Sequence, residues 1–338
     1  MISPSRRRLN VAIVGAAGLV GETVARILEE REFPIGSLRA FGTTRSAGTR
    51  LSVAGCEAQV ESLDDAREPF AGIDVAFFSA GDTVSRRFAR EAVDAGALVV
   101  DKSGVYRLDP LTPLVVPEAN AGAIGAHRLI ANPNCSTIPL AVALAPIQRE
   151  FGLAWVSVST YQSVSGAGKD ALAEFEAQTR GDEAVKFLPR RIAGNVIPEN
   201  GPWDESGYGE EERKIAAELK KVLGRPDLPV SATSVRVPVA VGHSEAVSFM
   251  TARPATRDQL AALLRTAPSV RFYDGTAYAT PLDVAGAGDE VHVGRLRADT
   301  AHAGAFMLWL ACDNLRKGAA TNAVQIVEHA LRAAQVPA

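Results

Sequence analysis

An apolar strand that runs through three glycines into an amphipathic helix constrains this chain more than any other feature. The segment LNVAIVGAAGLVGETVARILEE starts at Leu9 and places Gly15, Gly18 and Gly21 between the two elements. Glycines at such a junction allow a tight turn and close approach of the backbone to a ligand, while the helix N-terminus presents unpaired N–H groups to an anion. GxxGxxG in this setting predicts a dinucleotide pyrophosphate site. Arg6-Arg7-Arg8 ahead of the apolar run imitates the start of a signal peptide. The helical pattern continues through TVARILEE with no break for cleavage, so the strand–loop–helix reading is preferred.

The rest of the first part alternates short apolar runs with helical patterns. SLRAFGT, DVAFFSA, ALVVDKS, PLVVPEA and LIANPN read as further strands. Near-continuous apolar strands belong in a parallel sheet covered on both faces, so a Rossmann-like doubly wound domain is expected over residues 1–134. An apolar helix from about Ser136 to Glu150 follows, and then the texture changes. LAWVSVSTYQSVS, VSATSVRVPV, HSEAVSFMTARP and DEVHVGRLRAD alternate with a period of two, as half-exposed strands do. A second α+β domain over residues 135–314 is expected, its mixed or antiparallel sheet facing helices or a partner subunit. From about Gly304 onward helices are expected, the last, about 315–338, completing the first domain.

Composition excludes several classes. With 338 residues, 47% hydrophobic and 22% charged, and a net charge of -3, nothing favours nucleic acid or an acidic membrane surface as partner. The apolar stretch near residue 310 is too short to span a bilayer. Cys56, Cys135 and Cys312 are odd in number and widely separated, which argues against a disulfide framework or a metal site and for a cytoplasmic location.

Cofactor choice is read from the second strand. NAD sites place an acidic residue about twenty positions beyond the glycines, but no Asp or Glu occurs between Phe33 and Cys56. The strand runs instead into Thr43-Thr44-Arg45-Ser46, where a guanidinium beside hydroxyls suits a 2'-phosphate. NADP is the expected cofactor.

The reactive centre is sought in Asn132-Pro133-Asn134-Cys135-Ser136-Thr137. A cysteine just before an apolar helix gains thiolate character from the helix dipole, and the free amides there can hold an oxyanion. Cys135 is therefore the expected nucleophile, and Cys312, in an apolar helix, is expected to be core. Of the histidines at 127, 243, 292, 302 and 329, His243 is favoured as base because it follows a glycine at a strand junction. Any of the five can equally be structural. Arg236, Arg107 and Lys214 are possible anion contacts. Lys214, three residues from Glu211 on one helical face, reads locally as part of a solvated ion pair.

With these segments in hand, the chain resembles the aspartate-semialdehyde dehydrogenase family over nearly its full length. The resemblance is carried by VAIVGAAGLVGE, ANPNCSTIPLA, TYQSVSGAGK, GNVIPENGPWDESGYGEEERK, VSATSVRVPVAVGHSEAV, VGRLRAD and DNLRKGAATNAVQI, in the family's order. It implies that Cys135 forms an acyl thioester, His243 accepts the proton and Gln162 orients the substrate. Arg236 would bind the substrate carboxylate and Glu211 its amino group, while Arg107, Asn134 and Lys214 would hold phosphate. Gly15, Ala17, Gly18, Leu19 and Val20, Thr43, Arg45 and Ser46, Ser165, Gly166 and Asn314 would contact NADP. The resemblance further implies a reversible reductive dephosphorylation of L-aspartyl-4-phosphate in lysine, threonine and methionine biosynthesis, carried out by a homodimer or homotetramer. Ala17 stands where the family has threonine, and Lys102 brings an extra charge into DKSGVYR. The nearest rivals are an N-acetyl-glutamyl-phosphate reductase of similar build, which would meet an acylated amine, and a silent relative acting as a binding module.

Overall fold

The computed structural model describes residues 7–333, so Arg6 and the last residues of the expected C-terminal helix lie outside the described residues. The chain divides into two compact units: the described parts of Met1–Pro117, Ala121–Pro133 and Ala319–Ala338, and Glu118–Asn120 with Asn134–Gly318.

The first unit opens with β1 (Leu9–Val14), α1 (Leu19–Glu30), β2 (Ile35–Gly42), β3 (Arg50–Val53) and β4 (Cys56–Ser62). It continues with β5 (Val75–Phe78), α2 (Asp82–Asp94), β6 (Leu98–Asp101) and, beyond the short helical turn α3 (Pro117–Asn120), β7 (Leu129–Ala131). The sheet order is β3-β4-β2-β1-β5-β6-β7, and every pairing is parallel except the β3–β4 hairpin. After β4 the chain crosses back past β1 to β5, which creates beside β1 the switch in strand order at which doubly wound sheets bind ligands. Val11, Ile13, Val75, Phe77 and Val100 form its core with Val24, Ile27 and Leu28 of α1.

PLVVPEA is not a strand. It makes one bridge, Leu114 with Ala131, before Pro117 opens α3. Pro113 and Pro117 bracket the run and neither can donate to a ladder, so pairing cannot extend. The β3–β4 hairpin went unread because its strands are short and mostly polar, and its turn at Ala54 and Gly55 has positive φ at both residues.

In the second unit, α4 (Thr137–Phe151) is followed by β8 (Leu153–Gln162), α5 (Lys169–Thr179), α6 (Glu210–Val222), β9 (Val230–Arg236) and β10 (His243–Thr251). Then come α7 (Arg257–Thr266), β11 (Val270–Phe272), α8 (Pro281–Val284), β12 (Val291–Ala298) and β13 (Ala305–Cys312). The last helix, α9 (Thr321–Ala333), packs in the first unit, where Ala323, Val324, Ile326 and Val327 join the core. The sheet order is β11-β12-β13-β10-β8-β9, with β8–β9 and β11–β12 parallel and the rest antiparallel: a mixed sheet.

GAFMLWLAC corrects the expectation of helix from Gly304. It is the strand β13, hydrogen-bonded on both sides by β10 and β12, and Cys312 lies at its end with no exposed surface. A short apolar run fits a buried helix or a buried strand equally well, and here the neighbouring strands decide. The C-terminal helix correspondingly begins later, at Thr321, after a π-helical turn over Arg316–Ala320. Among the described residues no helix is long and apolar enough to cross a membrane.

Candidate active site

Sheet register assembles the site in the second unit. Gln162 ends β8 opposite Arg236, which ends β9, and His243 begins β10 opposite Cys312, which ends β13. One edge of the sheet therefore gathers Gln162, Arg236, His243 and the turn after Cys312. Gly242 must precede His243: its φ is +97°, and a Cβ there would come within 2.9 Å of Pro281.

Cys135 lies one residue before Ser136, the N-cap of α4, at the positive end of a fifteen-residue helix that favours an anion. Its Sγ is 3.3 Å from His243 Nε2. Asn134 fixes the turn that carries it. The Asn134 main-chain N–H donates to Glu218 Oε2 (2.6 Å), its Oδ1 accepts from Ser136 N–H (2.8 Å), and its Nδ2 donates to Glu211 Oε1 (2.8 Å). Gly318 packs beneath, where an added Cβ would lie 3.2 Å from the Cys135 carbonyl oxygen. That turn is pinned by Lys317, which has no exposed surface and donates to both oxygens of Glu118 (2.9 and 2.8 Å). Burial alone would raise the Glu118 carboxyl, but the Lys317 charge and hydrogen bonds outweigh it and hold the carboxyl below its ordinary value.

Gln162 is locked as well. Its Nε2 donates to Glu211 Oε1 (2.9 Å), and its Oε1 accepts from Asn200 Nδ2 (3.0 Å) and from Ser234 Oγ. Arg236 donates through Nη1 to the Ser163 carbonyl (2.8 Å), while its buried Nε has no partner. Burial lowers the Arg236 pKa, and the nearby Glu211 and Cys135 oppose that shift. The structure thus brings together Cys135, His243, Gln162, Glu211, Asn134 and Arg236. Lys214 is not joined to them; it pairs with Glu210 at 2.7 Å, one turn back on α6.

Ser163, Asn200 and Glu218 were missed by sequence reasoning. Glu218 was findable, because it lies seven residues from Glu211 on one face of α6, and the two hold opposite ends of Asn134. Ser165 and Asn314 are buried beside His243, with Asn314 Nδ2 donating to Ser165 Oγ (3.0 Å) and Asn314 Oδ1 accepting from Gly242 N–H (2.9 Å). Gly166 is exposed and close enough that a Cβ would lie 3.0 Å from Arg236 Nη1 and 3.2 Å from His243 Cε1.

In the first unit, the glycine loop fits a dinucleotide phosphate. Gly15 has φ +87°, and a Cβ there would sit 2.8 Å from the Ser79 carbonyl carbon. A Cβ on Gly21 would lie 2.2 Å from Gly15 O, so only glycine lets α1 start this close to the loop. Gly18 caps α1 with no side-chain hydrogen bond, and Ala17, Leu19 and Val20 line the same turn, partly exposed. Thr43 precedes a 3₁₀ turn, Thr44–Ser46, at the end of β2, with Arg45 exposed on it and Ser46 Oγ donating to the Thr43 carbonyl (3.0 Å). Arg107 is buried in this unit, donating to the carbonyls of Asn132 (3.1 Å) and Lys102 (2.6 Å).

A nucleotide-type loop on a doubly wound sheet, together with a cysteine–histidine pair at the end of a mixed sheet, fits the class of semialdehyde dehydrogenases. Residues 10–127 match the semialdehyde dehydrogenase NAD binding domain, and residues 144–317 match the semialdehyde dehydrogenase dimerisation domain. The chain is 42% identical over 335 residues to aspartate-semialdehyde dehydrogenase of Shewanella violacea, covering 96% of this chain and 98% of the relative. It is 44% identical over 333 residues to the Legionella pneumophila enzyme, covering 95% of each. The crystal structure of Vibrio cholerae aspartate semialdehyde dehydrogenase II complexed with ASA superposes with a TM-score of 0.94 at 39% identity, over 97% of this chain and 99% of that one. The chain belongs to the aspartate-semialdehyde dehydrogenase family.

Proposed function

We propose that the chain catalyses the NADP-dependent, phosphorylating oxidation of L-aspartate 4-semialdehyde, and in biosynthesis its reverse, through a thioester on Cys135. The observation that carries this reading is the 3.3 Å contact between Cys135 Sγ and His243 Nε2 at the N-terminus of α4. A nucleophile within reach of an oriented base is the arrangement covalent acyl transfer needs.

Cys135 sulfur adds to the aldehyde carbon, and His243 takes the proton that this addition releases from the sulfur or the new hydroxyl. Loss of hydride from that carbon leaves the thioester, with the N–H groups at the start of α4 facing the oxyanion. Bound NADP would supply the hydride acceptor, and NADPH the donor in reverse. Phosphate then attacks the thioester carbonyl, releasing the acyl phosphate and the Cys135 thiolate. Arg236, buried with an unpartnered Nε, is suited to the substrate carboxylate. Both side-chain bonds to Glu211 fall on Oε1, which leaves Oε2 for the substrate ammonium. That feature favours a free amine over an acylated one, and with it aspartyl phosphate over an acetylated glutamyl phosphate.

Arg107, Asn134 and Lys214 are proposed as phosphate contacts. Ala17 to Val20, Thr43, Arg45, Ser46, Ser165, Gly166 and Asn314 are proposed for NADP, Arg45 reaching the 2'-phosphate. The second unit is proposed to pair with another copy of the chain, as a homodimer or a dimer of dimers. One face of its sheet supports this: Trp155, Tyr161 and Trp309 are only partly covered there, while Val158, Val247 and Phe249 on the other face are buried.

The test is NADPH formation from L-aspartate 4-semialdehyde, with and without phosphate, and with NAD in place of NADP. Phosphate-dependent turnover that favours NADP and disappears in Cys135→Ala is expected. Turnover retained by Cys135→Ala would remove the thioester, and equal rates with NAD would remove the role given to Arg45.

A further inference from the structure

Resting on the substrate-orienting role that the family resemblance gives Gln162, the partners of its amide lead to Asn200, a residue with no assigned part in the reaction. An amide has a donor end and an acceptor end, and which end meets a substrate depends on what holds the other. The orientation follows from a main-chain group that can only donate. Ser136 N–H donates to Asn134 Oδ1 (2.8 Å), so Asn134 Nδ2 is the group 2.8 Å from Glu211 Oε1. That carboxylate oxygen is an acceptor, and the second group to approach it, at 2.9 Å, is therefore Gln162 Nε2. A reversed Gln162 would set its own oxygen against a carboxylate oxygen.

Gln162 Oε1 is then the acceptor end, and its two lone pairs are taken. Asn200 Nδ2 donates one hydrogen to it (3.0 Å) and the other to Ser234 Oγ (2.7 Å), and the Ser234 hydroxyl donates to the same Oε1. Thr160 Oγ1 is a further neighbour at 3.3 Å. The two hydroxyls can donate or accept, whereas Asn200 Nδ2 can only donate. Asn200 does not owe its place to these bonds. The main chain of Ile197, three residues earlier, pairs with that of Arg236 in both directions (2.9 and 2.8 Å), which docks the segment along the end of β9. Gly201, with φ +94°, then turns the chain toward α6, where Glu210 N–H donates to the Pro202 carbonyl (2.9 Å).

We propose that Asn200 is a positioning residue for the reaction: by occupying Gln162 Oε1 from the surface segment, it makes Gln162 a hydrogen-bond donor to the substrate and nothing else. Among the described residues Nε2 has one partner, Glu211 Oε1, so its second hydrogen remains for an oxygen of the bound substrate. Gln162 ends β8 opposite Arg236 at the end of β9, so the amide hydrogen and the guanidinium serve substrate oxygens side by side. The substrate ammonium is left to Glu211. Neither Asn200 nor Gln162 gives up or takes a proton; both act by holding groups in place.

The test is a double-mutant cycle between Asn200 and Gln162, read as kcat/KM for the semialdehyde in the full-length enzyme. Asn200→Ala removes the donor and leaves Oε1 to the two hydroxyls, so kcat/KM falls about fivefold, the scale of one neutral hydrogen bond. Asn200→Asp keeps the shape but offers only acceptors. Gln162 can meet it only by turning over, which sets Oε1 against Glu211 and withdraws the donor from the substrate, so a fall of about fiftyfold is expected. In a Gln162→Ala background the Asn200→Ala effect shrinks below about twofold. Whatever the added charge of Asn200→Asp does by itself persists there, and only the excess, about tenfold, disappears. A merely structural part for Asn200 would give the same losses in both backgrounds, and that result would overturn the proposal, as would wild-type kcat/KM in Asn200→Ala. Wild-type kcat/KM in Gln162→Ala alone would instead overturn the orienting role of Gln162, and the proposal with it.

Discussion

Glu245 gives the sharpest test of how this sheet is built. It is the third residue of β10, has no exposed surface, and neither carboxyl oxygen has a hydrogen-bond partner. Burial pushes its carboxyl well above the ordinary value of 4.5, so the folded protein keeps this proton at pH values where the unfolded chain has begun to lose it. The sign follows from proton counting. Below about pH 4.5 the group is protonated folded and unfolded, and it contributes no pH dependence. As pH rises past that point, the unfolded chain ionises while the folded one keeps its proton. Stability is therefore lost as pH rises toward the folded value, at about 1.4 kcal/mol per pH unit. Glu245→Gln has nearly the same shape and no proton to release, so it lacks this slope. As pH rises above about 5 the variant should gain steadily on the wild type, until pH passes the raised folded value of Glu245. Urea unfolding at three pH values, at one fixed protein concentration, measures this difference. Tryptophan fluorescence is the appropriate signal, because all three tryptophans, Trp155, Trp203 and Trp309, lie in the same unit as Glu245. A difference between the two proteins that stays constant with pH would show that Glu245 ionises alike in both states, and the reasoning from burial would fail.

Two further outcomes follow from the site. Gly166→Ala introduces no backbone strain but places a Cβ 3.0 Å from Arg236 Nη1 and 3.2 Å from His243 Cε1. The side chains must give by a few tenths of an ångström, so kcat/KM should fall about tenfold, with thermal stability changed by less than about 2 kcal/mol. Unchanged kinetics would mean that Arg236 and His243 are not held in place by this loop. Lys317→Met leaves Glu118 buried without its cation and should cost about 3–5 kcal/mol of unfolding free energy at neutral pH. Because the paired Glu118 carboxyl is held below its ordinary value, that cost shrinks as acid protonates it, and a Lys317→Met effect equally large at pH 3 would count against the pairing as its cause.

Much of the reactive centre could be read from local sequence because its pieces are local. Strand, glycines and helix are contiguous from Leu9, and Gly21 is required by its own loop, since a Cβ there would collide with Gly15 O. Cys135 precedes an apolar helix whose dipole acts within one turn, and Gly242 marks the junction that presents His243. The alternation of β8, β9 and β10 likewise follows from the two-residue period of a strand.

Tertiary structure decided the rest, because the remaining properties depend on partners far away in the chain. Ala305–Cys312 is a strand only because β10 and β12 flank it, and eight apolar residues carry no signal that separates it from a buried helix. Lys214 and Glu211 look alike on α6, yet the fold pairs Lys214 with Glu210 and turns Glu211 to Asn134 and Gln162. Ser163 meets His243 across 80 positions and Asn314 across 151, so no window of sequence could show these contacts. The sequence by itself determined which reactive groups the chain carries and which of them stand at element junctions. Only strand register and burial determined which of them face one another and in what protonation state, since hydrogen-bond geometry and desolvation are properties of the assembled sheet.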